Sequence, residues 1–272
     1  MAYENLIYDK KGKVVIITMN RPDALNAMNY ELTDELVDAF QKANDDTDIN
    51  VIVLTGAGRA FQVGADMKVA AQIKPGESPR AGGWGGLGTP EKSLKPVVCA
   101  INGICAGGGL IMLGGCDVII CSDDATFFDP HVDVGWLPLG ETFGTATSMA
   151  YHLAMRMGLV GNSERMNASR AYEVGLVSEV VPRDKLMARA LEIADIIASK
   201  APLATRWIRY AMRHIMIDAP HNAAIEEMNQ WVHQQVNRDP DGREGPRSFA
   251  QKRKPQWTGE GGPKARPLQI RR

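Results

Sequence analysis

The sequence predicts an α/β fold that ends in a largely helical region, and three observations carry that reading. Apolar runs of strand length, rich in β-branched residues, alternate with stretches of helical periodicity. Glycines concentrate where one such run gives way to a helix, in Asn102-Gly103-Ile104-Cys105-Ala106-Gly107-Gly108-Gly109-Leu110. From about Pro182 onward the pattern is nearly all helical.

Taken in order, Val14-Val15-Ile16-Ile17-Thr18-Met19 reads as a strand. A helix follows from Tyr30 to Ala43, with Leu32, Leu36, Val37 and Phe40 on one face. Val51-Ile52-Val53-Leu54-Thr55-Gly56 is a β-branched strand ending in a turn. The stretch from Ile73 to Ser93 is dense in Gly and Pro and reads either as a loop able to order over a substrate or as a plain disordered surface loop. Its formal G-x-G-x-x-G at Gly83, Gly85 and Gly88 has no strand before it, so it is read as chance. Pro96-Val97-Val98-Cys99-Ala100-Ile101 is a buried strand, and a buried helix starts at Leu110. Further strands fall at 118–121 and 126–128, and a helix carries His152. Helices over 185–199, 202–216 and 219–236 close the pattern, with Pro182, Pro202 and Pro220 near their starts.

Composition narrows the function. A chain of 272 residues forms one large domain or a domain with an appendage, and 44% hydrophobic with 23% charged residues is ordinary for a globular protein. A formal charge of -1 gives no broad attraction to nucleic acid or to an anionic membrane. No apolar run approaches membrane-spanning length, and Met1-Ala2-Tyr3-Glu4-Asn5 is not a basic, apolar leader. Cys99, Cys105, Cys116 and Cys121 lie in apolar contexts and read as reduced, buried small hydrophobes, so the expected location is cytoplasmic. There is no His-Glu-x-x-His or Cys-x-x-Cys, and His214, His221 and His233 lack metal-ligand spacing; no metal is expected.

The glycine-rich junction is the most informative chemistry. The first N–H groups of a helix have no partner inside it, and glycine lets a ligand approach the backbone. Such a turn holds an anion or a developing oxyanion. A P-loop would need Lys-Ser/Thr where Leu110 and Ile111 stand, and a dinucleotide fingerprint would need Gly at Met112. An oxyanion-binding turn and a tight strand–helix packing turn both fit what remains.

Other segments decide between them. Asn20-Arg21-Pro22-Asp23-Ala24-Leu25-Asn26-Ala27 and Gly58-Arg59-Ala60-Phe61-Gln62-Val63-Gly64-Ala65-Asp66-Met67 join the glycine junction. Phe127-Phe128-Asp129-Pro130, Ala171-Tyr172-Glu173-Val174-Gly175-Leu176-Val177 and Phe249-Ala250-Gln251-Lys252-Arg253-Lys254 follow in order. Together, from Asn20 to roughly Trp257, these segments resemble the crotonase superfamily of enoyl-CoA hydratases and isomerases. The resemblance implies a crotonase-type spiral of repeated ββα turns over residues 1–200. It implies a helical trimerisation region over 201–257, with a flexible tail at 258–272. It further implies a homotrimer or dimer of trimers acting on an acyl-CoA thioester, with coenzyme A entering as part of the substrate and no tightly bound cofactor.

By the same resemblance, the Ala65 and Gly108 amides hold the thioester oxygen while an enolate forms. Gly107 belongs to that turn, and Ala24, Leu25, Asp66 and Met67 match positions around the CoA moiety. Lys252 and Lys254 are candidates to neutralise its phosphates. Asp66 also reads as a cap for the following helix. Trp136 and Leu139 are expected to line an apolar acyl pocket.

The chain departs from the pattern at the acid/base positions. Typical hydratases of this family carry two glutamates, and here Ile111 and His131 stand in their places. Isoleucine carries no proton, so His131, whose unperturbed pKa of about 6.5 suits proton transfer near neutrality, becomes the candidate acid/base. Asp129 or Asp133 can orient its ring, and Glu141 is a candidate second carboxylate or a surface helix cap. The expected activity is enoyl-CoA hydratase/isomerase chemistry in fatty acid or carboxylic acid metabolism. The alternatives are a CoA-independent carbon–carbon bond hydrolase of a cyclic β-diketone and a non-catalytic protein keeping the fold.

Overall fold

The computed structural model describes residues 3–72, 90–138, 141, 145–213 and 240–258. The first hairpin pairs β1 (Leu6–Lys11) with β2 (Val14–Met19), and α1 (Tyr30–Asp45) follows. Three strand pairs come next. They are β3 (Val51–Gly56) with β4 (Ala60–Gln62), β5 (Val97–Ile101) with β6 (Ile104–Ala106), and β7 (Val118–Ser122) with β8 (Thr126–Phe128). The short α2 (Met67–Ala70) follows β4, α3 (Gly108–Gly114) follows β6, and a 3-10 helix (His131–Val134) follows β8. Then come α4 (Tyr151–Val160), β9 (Met166–Asn167), α5 (Ala168–Glu173), β10 (Glu179–Val181), α6 (Leu186–Ala198), α7 (Pro202–Arg213) and α8 (Pro240–Ala250).

Each strand pair gives its first member to one sheet and its second to another. The larger sheet has the order β1-β2-β3-β5-β7-β10, parallel throughout except for the β1–β2 hairpin. The smaller runs β4-β6-β8-β9, with β4, β6 and β8 parallel and β9 antiparallel. Successive turns therefore stack side by side, which is the ββα spiral. It places the loops after β4, β6 and β8 in one row, and those loops carry Ala65, Gly108 and His131.

Packing explains why the strands read as unbroken apolar runs. Both faces of the large sheet are covered, so alternate residues bury on opposite sides. Ile52, Leu54, Val97, Cys99 and Ile101 pack into the core shared with α1 and α3. Val51, Val53, Val98 and Ala100 face α6 instead, meeting its Leu186, Ala190, Ala194 and Ala198 stripe. Small side chains at that four-residue spacing let the helix lie close against the sheet.

Several expectations shift. The α1 face is Leu32, Leu36, Ala39, Phe40 and Ala43, whereas Val37 is half exposed because it lies about 100° around the helix from Leu36. The helix after the glycines begins at Gly108 rather than Leu110, and Ile104–Ala106 form a strand inside the stretch read as turn. Strands β1, β4, β9 and β10 went unread; three of them have two or three residues, and β1 is a partly polar edge. The helix over 219–236, residues 73–89 of the Gly/Pro loop and the tail beyond Thr258 lie outside the described residues.

One buried side chain ties the first turn of the spiral to its neighbour. Asn26, in left-handed conformation at φ 59° and fully buried, donates through Nδ2 to the carbonyls of Ala57 (3.0 Å), Ala60 (2.8 Å) and Phe61 (3.1 Å). Its Oδ1 accepts from the Arg21 amide at 2.9 Å. Asn26→Ala would strand these buried groups and is expected to cost about 2–4 kcal/mol in urea unfolding.

Candidate active site

The loops after β4 and β6 touch backbone to backbone. Gly64 has φ +90°, and a Cβ there would lie 3.0 Å from the Gly108 nitrogen. Gly107, at φ +51°, ends the β6 loop, and α3 begins at Gly108. Gly64 is held from two sides: its carbonyl accepts from the Met28 amide at 2.8 Å and from Gln62 Nε2 at 3.0 Å. Met28 bridges to Ala65, and the Asp66 amide donates back to the Met28 carbonyl at 2.8 Å. Among the described residues, neither the Ala65 nor the Gly108 amide donates to a protein acceptor. Two unclaimed N–H donors thus come from adjacent, glycine-thinned turns, with Ala65 half-buried and Gly108 buried.

The third loop brings acid/base groups to the same place. His131 opens the 3-10 helix after β8, and a Cβ at Gly107 would lie 3.5 Å from its Cε1. Its Nδ1 is 2.5 Å from Asp129 Oδ1, which also accepts the His131 amide at 3.1 Å. Its Nε2 is 3.4 Å from Glu141 Oε1. Both carboxylates are buried, Asp129 at 1% and Glu141 at 4% exposure, so Glu141 is not a surface cap. Asp133 does not join this group. On the 3-10 helix it turns away, accepts from the Asn162 amide at 2.7 Å and packs against Gly161.

Burial works against a charged imidazole, but Glu141 and Asp129 outweigh it and push the His131 pKa up to about 9. The Glu141 carboxyl is also raised, first by burial and further by Asp129, while His131 pulls the other way. The result is one imidazolium shared by two buried carboxyl groups near neutral pH. The three side chains have the donor chemistry of a cation site. The 2.5 Å contact is nevertheless a proton-sharing distance, shorter than the ~3 Å between adjacent ligands on a metal bound at about 2.0–2.2 Å.

The remaining candidates are placed as follows. Ile111, on α3, packs against the core. Ala24 and Leu25 lie on the 3-10 turn before Met28, beside the Ala65 loop. Asp66 caps α2 by accepting from the Lys68 amide at 3.1 Å, and its other oxygen pairs with Arg21 Nη2 at 3.1 Å. Met67 starts α2 and is half-buried. Trp136 lies beside His131 with the rings tilted by 38° and their centres 6.3 Å apart, while Leu139 lies outside the described residues. Helix α8 packs on α2 and on the 3-10 helix, but Lys252 and Lys254 beyond its end are exposed and outside this cluster. His152 is exposed on α4, and all four cysteines are unpaired, with Cys116 only partly buried. Gln62 was not anticipated; its one signal is a polar residue between Phe61 and Val63.

A family profile described as enoyl-CoA hydratase/isomerase matches residues 9–260. An enoyl-CoA hydratase of Mycobacterium tuberculosis is 34% identical over 92% of this chain and 95% of its own length. A carnitinyl-CoA dehydratase of Proteus mirabilis is 36% identical over 94% of this chain and 99% of its own. The crystal structure of an enoyl-CoA hydratase/isomerase from Mycobacterium paratuberculosis is 40% identical, with a TM-score of 0.71, covering 94% of this chain and 99% of that one.

His131→Ala would leave Asp129 and Glu141 buried without their shared cation. The expected loss is about 3–5 kcal/mol near neutral pH. The penalty should shrink on acidification as the Glu141 carboxyl, already raised by burial, takes up a proton, which urea unfolding of both proteins at two pH values would measure.

Proposed function

The chain belongs to the enoyl-CoA hydratase/isomerase family, and we propose that it is an acyl-CoA-processing enzyme with a backbone oxyanion hole and a His131-centred proton relay. The carrying observation is the convergence of three loops. Gly64 packs on the Gly108 nitrogen, and the His131 ring packs beside Gly107. A thioester oxygen held by the Ala65 and Gly108 amides would have its neighbouring carbons within reach of that ring. Preorganised donors of this kind contribute about 2.7–4 kcal/mol each to a developing oxyanion. The donors here are two separate turns, because α3, at seven residues, is too short for a helix dipole to account for the site.

The protonation state gives the relay its direction. With its pKa near 9, His131 enters the reaction charged and acts first as an acid. Asp129 holds Nδ1 tightly, whereas the 3.4 Å Nε2–Glu141 contact is the looser one. Nε2 and Glu141 are therefore the groups that meet the substrate. Glu141 takes the proton α to the thioester as the enolate forms, and Nε2 gives a proton to the γ-carbon or to a leaving oxygen. Passage of the first proton from Glu141 to His131 across their 3.4 Å contact resets the pair. Ile111 supplies no second acid, so one centre serves one face of the acyl chain. That suits double-bond migration directly, and hydration or dehydration with Glu141 as the second group.

The assembly reading also has support. Helix α7 turns Leu203, Trp207, Ile208, Tyr210 and Met212 outward, each more than half exposed. Its Arg209 points in, binding Asp117 at 2.7 Å and the carbonyls of Pro90 (2.7 Å), Gly115 (3.1 Å) and Ser93. An apolar stripe held outward by buried arginines fits a homotrimer or dimer of trimers. Four unpaired cysteines fit a reducing compartment such as the cytoplasm. No helix among the described residues is long and apolar enough to cross a membrane.

A CoA-independent hydrolase of a cyclic β-diketone is the second reading, favoured by Ile111 and by the Asp129–His131 pair, which suits water activation. A non-catalytic role fits less well, since a scaffold gains nothing from two buried carboxyl groups and a part-buried imidazole beside two amides that have no protein acceptor among the described residues.

Titration calorimetry with butyryl-CoA separates the first two readings: binding is expected, and none at millimolar ligand would favour the hydrolase. Across a panel of enoyl-CoA esters, kcat/KM is expected to fall as pH rises through about 9, where His131 loses its proton. Asp129→Asn removes one cause of the raised pKa, so this alkaline limb should move down by about one pH unit or more. An unmoved limb would remove His131 from the proton relay.

A further inference from the structure

We infer that Gln62 is a positioning residue that aims the Ala65 amide and keeps it in register with Gly108; this rests on the oxyanion reading above. Gln62 is fully buried at the end of β4 and takes no part in proton transfer. Its side chain folds back onto the next turn. Oε1 accepts the Gly64 amide at 2.7 Å, and Nε2 donates to the Gly64 carbonyl at 3.0 Å. Both ends of one side-chain amide are thus spent on a single glycine, whose φ of +90° leaves it free to take other conformations.

The planarity of the peptide turns this into control of Ala65. In a trans peptide the Gly64 carbonyl and the Ala65 N–H point in opposite directions. Fixing the carbonyl with two donors, Met28 N on one side and Gln62 Nε2 on the other, fixes where the Ala65 hydrogen is aimed. Gln62 also reaches the second donor. A Cβ at Gly109 would meet the Gln62 carbonyl at 2.6 Å and Oε1 at 3.2 Å, so α3 starts against the residue that holds the first turn. A register shift between Ala60 and Gln62 in the β4–β6 pairing brings the chain to this position. Without the side-chain amide, Met28 alone would hold the carbonyl, and the Gly64–Ala65 peptide would gain rotational freedom.

The test uses the full-length protein with butyryl-CoA carrying 13C at the thioester carbon, comparing wild type, Gln62→Met and Gln62→Glu. Wild type is expected to shift the bound carbonyl resonance downfield, as a polarised C=O does. Gln62→Met should lose most of that shift and lower kcat on an enoyl-CoA substrate by about 10–100-fold, with affinity for CoA changed less than about twofold. Gln62→Glu keeps the acceptor but keeps the donor only while protonated, so its carbonyl shift should fade as pH rises; a side chain that merely fills space would give no such dependence. A full carbonyl shift in both variants would overturn the role of Gln62 while leaving the oxyanion hole intact. No shift in wild type would overturn the oxyanion reading and this inference with it. Failure of both variants to fold would make Gln62 a folding element and overturn the inference as well.

Discussion

Everything at this site depends on two turns of the spiral meeting with no side chain between them. Gly64 sits so close to Gly108 that a methyl group would press on the Gly108 nitrogen, and Gly107, whose φ of +51° disfavours any side chain, lies beside the His131 ring. Glycine is required here for closeness as much as for dihedral freedom. The contact brings two amides that lack protein acceptors among the described residues into one neighbourhood, and it is made by backbone, which cannot change rotamer. A site built this way is pre-organised by the fold itself rather than by flexible side chains.

The fold supplies that closeness through repetition. Because each strand pair feeds both sheets, equivalent loops stack at the spacing of neighbouring strands, about 4.8 Å. Residues 65, 108 and 131, far apart in sequence, become neighbours as a consequence of parallel pairing. Buried polar groups then hold the loops in place: Asn26 on the carbonyls around β4, Gln62 on Gly64, and Arg21 on Asp66. The first two satisfy backbone groups that would otherwise be stranded away from water, and the third is an ion pair between side chains.

Against this rigid frame, Asp129, His131 and Glu141 are a costly cluster. Two buried carboxyl groups beside a part-buried imidazole are tolerable only because the three share protons and hydrogen bonds. The two carboxyl groups raise the imidazole pKa, and the imidazole makes two buried carboxyl groups compatible. The replacement of glutamate by His131 is therefore not an isolated change. It comes with a carboxylate on each ring nitrogen, and Ile111 completes the departure by turning the other acid position into core packing.

Much of this was legible in the sequence. Apolar β-branched runs gave the central strands because burial on both faces leaves no polar alternation to obscure them. Glycine density marked the strand-to-helix turn at Gly107 and Gly108, since few other residues tolerate such backbone. The two-residue spacing of Asp129 and Asp133 from His131 marked both as able to orient its ring. Short strands such as β4 and β9 left no periodic trace, and Val37 was misassigned because a wide apolar stripe does not reveal its own edge. Whether Asp129 or Asp133 would meet the ring could not be read, because an extended strand and a 3-10 helix point those carboxylates differently. The burial of Glu141 and the folded-back amide of Gln62 were decided only by tertiary structure. Both depend on which distant loops close over them, and sequence neighbours carry no record of that.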